Sequence, residues 1–213
     1  MSQQISLKEA ERKAFSATIN DGLWDVFLGC FFLIFVIAPF LSASLGDFWS
    51  SFIFLPFWAL VYLAIWLIRK YVVTPRIGFV SLGQGRKTKL KKLSVVMLVA
   101  NVIALILGLV AAVTFGKVPG QLYSYGIGLV LLAGFSLAAY FLDFPRLYVY
   151  GLLLGLSPLV GEWLWSQGYA SHHGFPITYG ITSCIMILTG LVVFVRLLID
   201  NPLPKEGLPP QEV

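Results

Sequence analysis

The sequence predicts an all-α, polytopic integral membrane protein with six transmembrane helices, and three observations lead there. Charged residues make up 12% of the 213-residue chain against 58% hydrophobic, whereas soluble domains carry about 25% charge. Charge-free runs recur at a length that suits a hydrocarbon core of roughly 30 Å, which takes about 20 apolar residues per crossing. All of the 15 Lys and Arg residues except Lys117 fall on alternate hydrophilic segments, which is the asymmetry that the positive-inside rule assigns to a cytoplasmic face.

Residues 1–20 are polar and form a cytoplasmic N-terminal segment, with a short amphipathic helix expected over SLKEAERKAF (Ser6–Phe15). No cleavable signal peptide is expected, so the first span stays in the protein. A six-helix domain follows over 21–198, with spans expected at about 23–45, 49–69, 93–115, 123–142, 147–166 and 176–196. Asp21 and Asp25 lie four residues apart at the entry to the first span; Asp21 suits an N-terminal cap, and Asp25 calls for a basic partner, with Arg76 or Arg146 in reach. Pro75 is expected to stop the second helix, and β-branched and aromatic residues followed by GQG predict a short β-hairpin in the 76–90 loop. VPGQ (Val118–Gln121) is turn chemistry and delays the fourth span. SQGYASHHG separates the last two, and a Pro-rich cytoplasmic tail fills 199–213.

Tryptophans and tyrosines gather near the expected span ends, Trp24, Trp66, Tyr140 and Tyr148 at one interface and Trp49, Tyr125, Trp163 and Trp165 at the other. Two helices carry small residues at packing intervals, GLLLG (Gly151–Gly155) in the fifth and Ala100, Ala104 and Gly108 in the third, and both faces are expected to meet neighbouring helices. The two cysteines, Cys30 and Cys184, fall at different depths and predict no disulfide. A Pro follows each even-numbered span, which hints at three repeated hairpins but equally reflects the steric habit of Pro after helix ends.

The stretch Arg69–Lys92 holds eight Lys or Arg residues and no acid. Its first role is topological, and Arg76, Arg86, Lys87, Lys89, Lys91 and Lys92 are the candidates for contact with lipid head groups, each basic residue near an anionic leaflet contributing about 1 kcal/mol. GQGRKT is not a phosphate loop, because Arg86 separates Gly85 from Lys87. No nucleic-acid-binding module accompanies the charge.

Within the spans, Glu162 lies seven residues after Gly155 and eleven after Gly151, on nearly the same helical face. Intramembrane acids are expensive and often mark ion paths, so Glu162, Asn101, Asp25 and Thr182 are the candidates for a polar path. The opposing reading makes Glu162 an interfacial acid, Asp25 half of an ion pair, and Asn101 and Thr182 helix-bridging groups. His172 and His173, with Glu162, supply the ligand types of a zinc site without its usual spacing. No catalytic set or cofactor motif is visible. The leading expectation is therefore a non-enzymatic polytopic protein of the cell membrane, an accessory or oligomeric subunit that contacts anionic lipids and copies of itself or another membrane protein. A small ion or solute transporter or channel with Glu162 in the path is the alternative, and a membrane-embedded lipid-modifying enzyme comes third.

Overall fold

The computed structural model describes residues 20–77, 84–114 and 120–202; the expected helix at Ser6–Phe15 and the tail beyond 202 lie outside the described residues. Among the described residues every regular element is helical and none is a strand. The chain runs through α1 (Leu23–Phe32), α2 (Ile34–Phe52), α3 (Phe54–Ile68), a π turn (Arg69–Val73), α4 (Thr74–Ile77), α5 (Gln84–Thr114), α6 (Gly120–Leu142), α7 (Arg146–Ser166), a 3₁₀ turn (His172–Gly174) and α8 (Phe175–Asp200). Among the described residues six segments are long and apolar enough to cross a membrane: Leu23–Gly46, Phe48–Ile77, Lys87–Val110, Gln121–Leu142, Arg146–Ser166 and His172–Asp200.

Gly46 divides the first two of these segments. Its φ of 78° and ψ of 161° lie in a region open almost only to glycine, so the chain turns there, just ahead of Asp47, between two apolar stretches. Pro75 does not stop the second segment. The helix widens into the π turn, in which the Thr74 amide and hydroxyl both donate to the Arg69 carbonyl, the hydroxyl at 2.8 Å, and it then continues to Ile77. A proline has no amide to give, and the wide turn ahead of it spreads the loss over a longer ring.

The hairpin expected over 76–90 is not seen among the described residues. Arg76 and Ile77 close α4, residues 84–90 form the first turns of α5, and 78–83 lie outside the described residues. Lys87, Lys89, Leu90 and Lys91 are straight-chain helix formers, and their propensity extends the third span backwards.

Packing is closest between α6 and α7. A methyl group added at Gly155 would meet the Gly128 carbonyl at 3.0 Å and the Leu132 side chain at 3.1 Å, and one added at Gly151 would meet Phe135 at 2.8 Å. The GLLLG face therefore has α6 as its partner. The second small-residue face behaves differently from the expectation: nothing lies within 4 Å of a side chain added at Gly108, and Ala100 and Ala104 border an open cleft rather than a neighbouring helix. α1 lies along α8, where a methyl group at Gly190 would meet the Gly22 carbonyl at 2.6 Å. Phe32, Phe144, Tyr150, Leu154, Tyr179 and Met186 form the main core among α1, α6, α7 and α8, and Leu23, Ile65 and Val73 form a smaller one beside α3. α5 rests chiefly on α6.

Candidate functional site

Three ion pairs gather Arg69, Lys89 and Arg146 at one end of the bundle. Asp21 is fully buried ahead of α1, accepts the Leu23 amide at 3.0 Å, and receives Nε of Arg69 at 3.0 Å together with its Nη2. Burial raises the Asp21 carboxyl above its ordinary pKa of 3.8, and the Arg69 guanidinium opposes that rise. One turn later Asp25, also fully buried, has Arg146 Nη1 2.7 Å from its Oδ2. The Arg146–Asp25 approach lacks hydrogen-bond alignment, so it is a charge contact, while Nη2 of Arg146 donates to Asn20 Oδ1 at 3.1 Å. The third pair joins Lys89 of α5 to Asp143 after α6, at 3.2 Å.

Arg146 is thus the partner of Asp25, and Arg76 is not. Nε and Nη1 of Arg76 are buried without a hydrogen-bond partner among the described residues. Aromatic faces complete the cluster, with Arg69 5.5 Å from the Trp24 ring centroid and Arg146 4.8 Å from that of Phe144. Of the other expected head-group contacts, Lys87, Lys91 and Lys92 are exposed on the first turns of α5, and the Arg86 side chain lies outside the described residues.

The opposite end holds Glu162. It is buried on α7, on the same side as Gly151, Gly155, Pro158 and Gly161, and His173 Nδ1 reaches its Oε2 at 2.9 Å. Gly161 and Gly174 let the backbone of the 3₁₀ turn press against α7. His172 and His173 both have positive φ, 50° and 54°, a conformation uncommon outside glycine. His173 lies with its ring centroid 4.3 Å from that of Trp165, while the His172 ring faces Phe40 and its Nδ1 contacts Ser171. The zinc candidates therefore split, Glu162 meeting one histidine while the other turns away, and no group of three metal-ligand side chains converges among the described residues.

Between the two ends, hydroxyl groups line the contact of α7 with α8. Thr178 donates to the Gly174 carbonyl at 3.2 Å, Thr182 to the Thr178 carbonyl at 3.0 Å and Ser157 to the Leu153 carbonyl at 2.8 Å, and the Ser157 and Thr182 oxygens lie 3.2 Å apart. Asn101 stands apart on α5, its amide donating back to the Met97 carbonyl at 2.8 Å. Glu162, Thr182, Asp25 and Asn101 thus occupy four separate settings: one end, the α7–α8 contact, the other end, and a lateral cleft.

Comparison with protein-family models, curated proteins and solved structures finds no match for this chain.

The sequence reading missed the Arg69–Asp21 and Lys89–Asp143 pairs. Each unites opposite charges at span ends that an alternating topology brings to one side, and that was the available signal. It also missed the cleft of about 530 Å³ bounded by α1, α5, α6 and the turn into α7. Runs of Ala and Gly do not announce whether a neighbouring helix or a gap will face them.

Proposed function

We infer that the chain is a non-enzymatic multi-pass protein of the cell membrane, an accessory or oligomeric subunit that works by contact within the bilayer. Its basic end and both termini face the cytoplasm and lie against anionic lipid, and its outward helix faces meet lipid, a second copy or another membrane protein. The observation that carries this reading is the gathering of Arg69, Arg146 and Lys89 at one end, each holding a carboxylate, while Lys87, Lys91 and Lys92 remain exposed beside them. The paired charges fasten the helices, and the exposed ones are left for phosphate head groups, which attract juxtamembrane Lys and Arg. Exposed Trp66, Tyr140 and Tyr148 suit an interfacial belt at that end, and Trp49, Tyr125, Trp163 and Trp165 suit one at the other.

The transport alternative has the burial of Glu162 in its favour. Less support comes from its surroundings, since Glu162 is bonded to His173 at 2.9 Å and the remaining path candidates are held elsewhere. Retention of lipid by the purified full chain tests the leading reading. After solubilisation from vesicles of equal phosphatidylglycerol and phosphatidylcholine, native mass spectrometry is expected to show bound phosphatidylglycerol in excess. The excess falls when Lys87, Lys91 and Lys92 are all changed to Gln, and equal retention of the two lipids would overturn the reading. Proton or metal-ion flux in proteoliposomes, abolished by Glu162→Gln, would put transport in its place.

A further inference from the structure

A cavity of about 190 Å³ opens in the seam between α6 and α7, at the end away from the three ion pairs. Gln121, Ser124 and Tyr125 wall it from the first turns of α6, and Glu162, Trp163 and Ser166 from the last turns of α7. At about 30 Å³ for each water of the liquid, the space suits a group of about six non-hydrogen atoms. Its inner end is blind. One turn deeper, a side chain added at Gly128 would strike the Gly155 carbonyl, so the two helices are shut together below the cavity.

Glu162 gives the cavity its charge. Its side chain is 8% exposed, and the one hydrogen bond that its carboxylate accepts among the described residues comes from His173 Nδ1 to Oε2, at 2.9 Å. A neutral imidazole donating in this way orients the acid and leaves its negative charge in place. Asp21, Asp25 and Asp143 each hold a Lys or Arg, whereas no Lys or Arg among the described residues pairs with Glu162. The acid also stands close to the C-terminal end of α7, where the helix dipole favours cations and disfavours anions. A buried carboxylate so placed calls for a positive partner.

The other walls decide which cation. Ser166 Oγ donates to the Trp163 carbonyl at 2.8 Å, which leaves its oxygen free to accept from a ligand. Trp163 and Tyr125 supply aromatic rings, which attract organic cations. Calcium and magnesium sites draw on many oxygens, but here there is one carboxylate, and no three metal-ligand side chains converge among the described residues. Acceptors beside aromatic rings suit an ammonium group that carries its own N–H donors and a short carbon stem.

We propose that this cavity binds a primary ammonium group, which donates to Glu162 and Ser166 and lays its carbon stem against Tyr125 and Trp163. The same group is carried by a free amine in water and by the ethanolamine headgroup of a lipid. The site lies at the opposite end from Lys87, Lys91 and Lys92 and does not rest on the lipid-contact reading.

The test uses the purified full chain in a nonionic detergent and saturation-transfer NMR of isotopically labelled ethanolamine, with ethylene glycol as its uncharged counterpart. Transfer to ethanolamine and none to ethylene glycol is expected. Glu162→Gln keeps an acceptor for His173 but removes the charge, and it should weaken ethanolamine binding about ten-fold. Trp163→Leu should weaken it about three-fold. Ser166→Phe, at an exposed position, closes the mouth without touching the acid and serves should Glu162→Gln fail to fold. Lys117→Gln, which removes the basic residue nearest in sequence to the cavity wall, should leave binding unchanged. Vesicles of phosphatidylglycerol carry no ammonium group and should preserve the signal. Adding an equal share of phosphatidylethanolamine then abolishes it if lipid headgroups fill the site, and spares it if the amine arrives from water.

No transfer to ethanolamine, or equal transfer to ethylene glycol, would overturn the site. So would binding that neither Glu162→Gln nor Ser166→Phe moves, or binding that emerges only after Lys117→Gln, since the protein's own lysine would then be the occupant.

Discussion

Arg146 at the start of α7 holds Asp25 in the first turn of α1, with Nη1 2.7 Å from Oδ2, and this contact ties the first membrane segment to the fifth. Removing one member of a buried pair strands the other charge, at a cost of about 3 kcal/mol. Asp25→Ala is therefore expected to destabilise the protein by that order, and Asp25→Leu with Arg146→Met to recover most of the loss. A double-mutant cycle on unfolding in mixed micelles reads the outcome, and additive losses would show that the two side chains act independently.

Gly128 and Gly155 bring α6 and α7 to backbone contact, and a methyl group at Gly128 has nowhere to go because the obstacle is the Gly155 carbonyl. Gly128→Ala should cost about 2 kcal/mol, in the range of overpacked interiors. Gly126→Ala, two residues earlier on the opposite face of the helix and unobstructed, should be neutral or slightly stabilising because alanine favours the helix. Thermal unfolding of the two variants in one detergent provides the comparison.

Gly46 has open space around it, so its constraint lies in the backbone alone. Gly46→Ala should cost about 1–3 kcal/mol through its φ and ψ. The same change at Gly108, also unhindered but helical, should not. Equal effects at both sites in thermal unfolding would mean that the turn between the first two segments tolerates another conformation.

Lys89 and Ser171 mark opposite ends of the bundle, the one paired with Asp143 and the other adjoining the turn that carries His173. Cysteines placed singly at these positions should react with an impermeant reagent from opposite compartments, position 89 from the cytoplasm. Labelling from one side would contradict the proposed crossing of the membrane.

The helical class and the six apolar segments were legible because burial in lipid demands long runs with few charges, and few other arrangements tolerate a sequence with so little polarity. Glu162 was legible as an inward-facing acid from its register with Gly151 and Gly155. Its bond to His173 was not, because that depends on a turn in which two consecutive histidines take positive φ, against their usual preference. The GLLLG pattern announced a close approach without its partner, and α6 supplied Gly128, which carries no motif of its own. The small-residue face of α5 was misread for the converse reason: the same residue types that permit contact also leave a gap when no helix arrives. The Ile, Phe and Val of residues 77–82 suggested extended structure, but the lysines beyond them follow helical propensity instead.

The long separation in sequence between Asp25 and Arg146 bears on how the protein is made. At 5–20 residues per second, a ribosome needs roughly ten seconds to synthesise the arginine after the aspartate has emerged. During that interval the first segment carries an acid with no counter-ion, which penalises its entry into hydrocarbon. On the proposed membrane reading, integration of this chain is expected to require a sheltered wait beside the insertion machinery, with the opening segment settling only once the fifth has arrived.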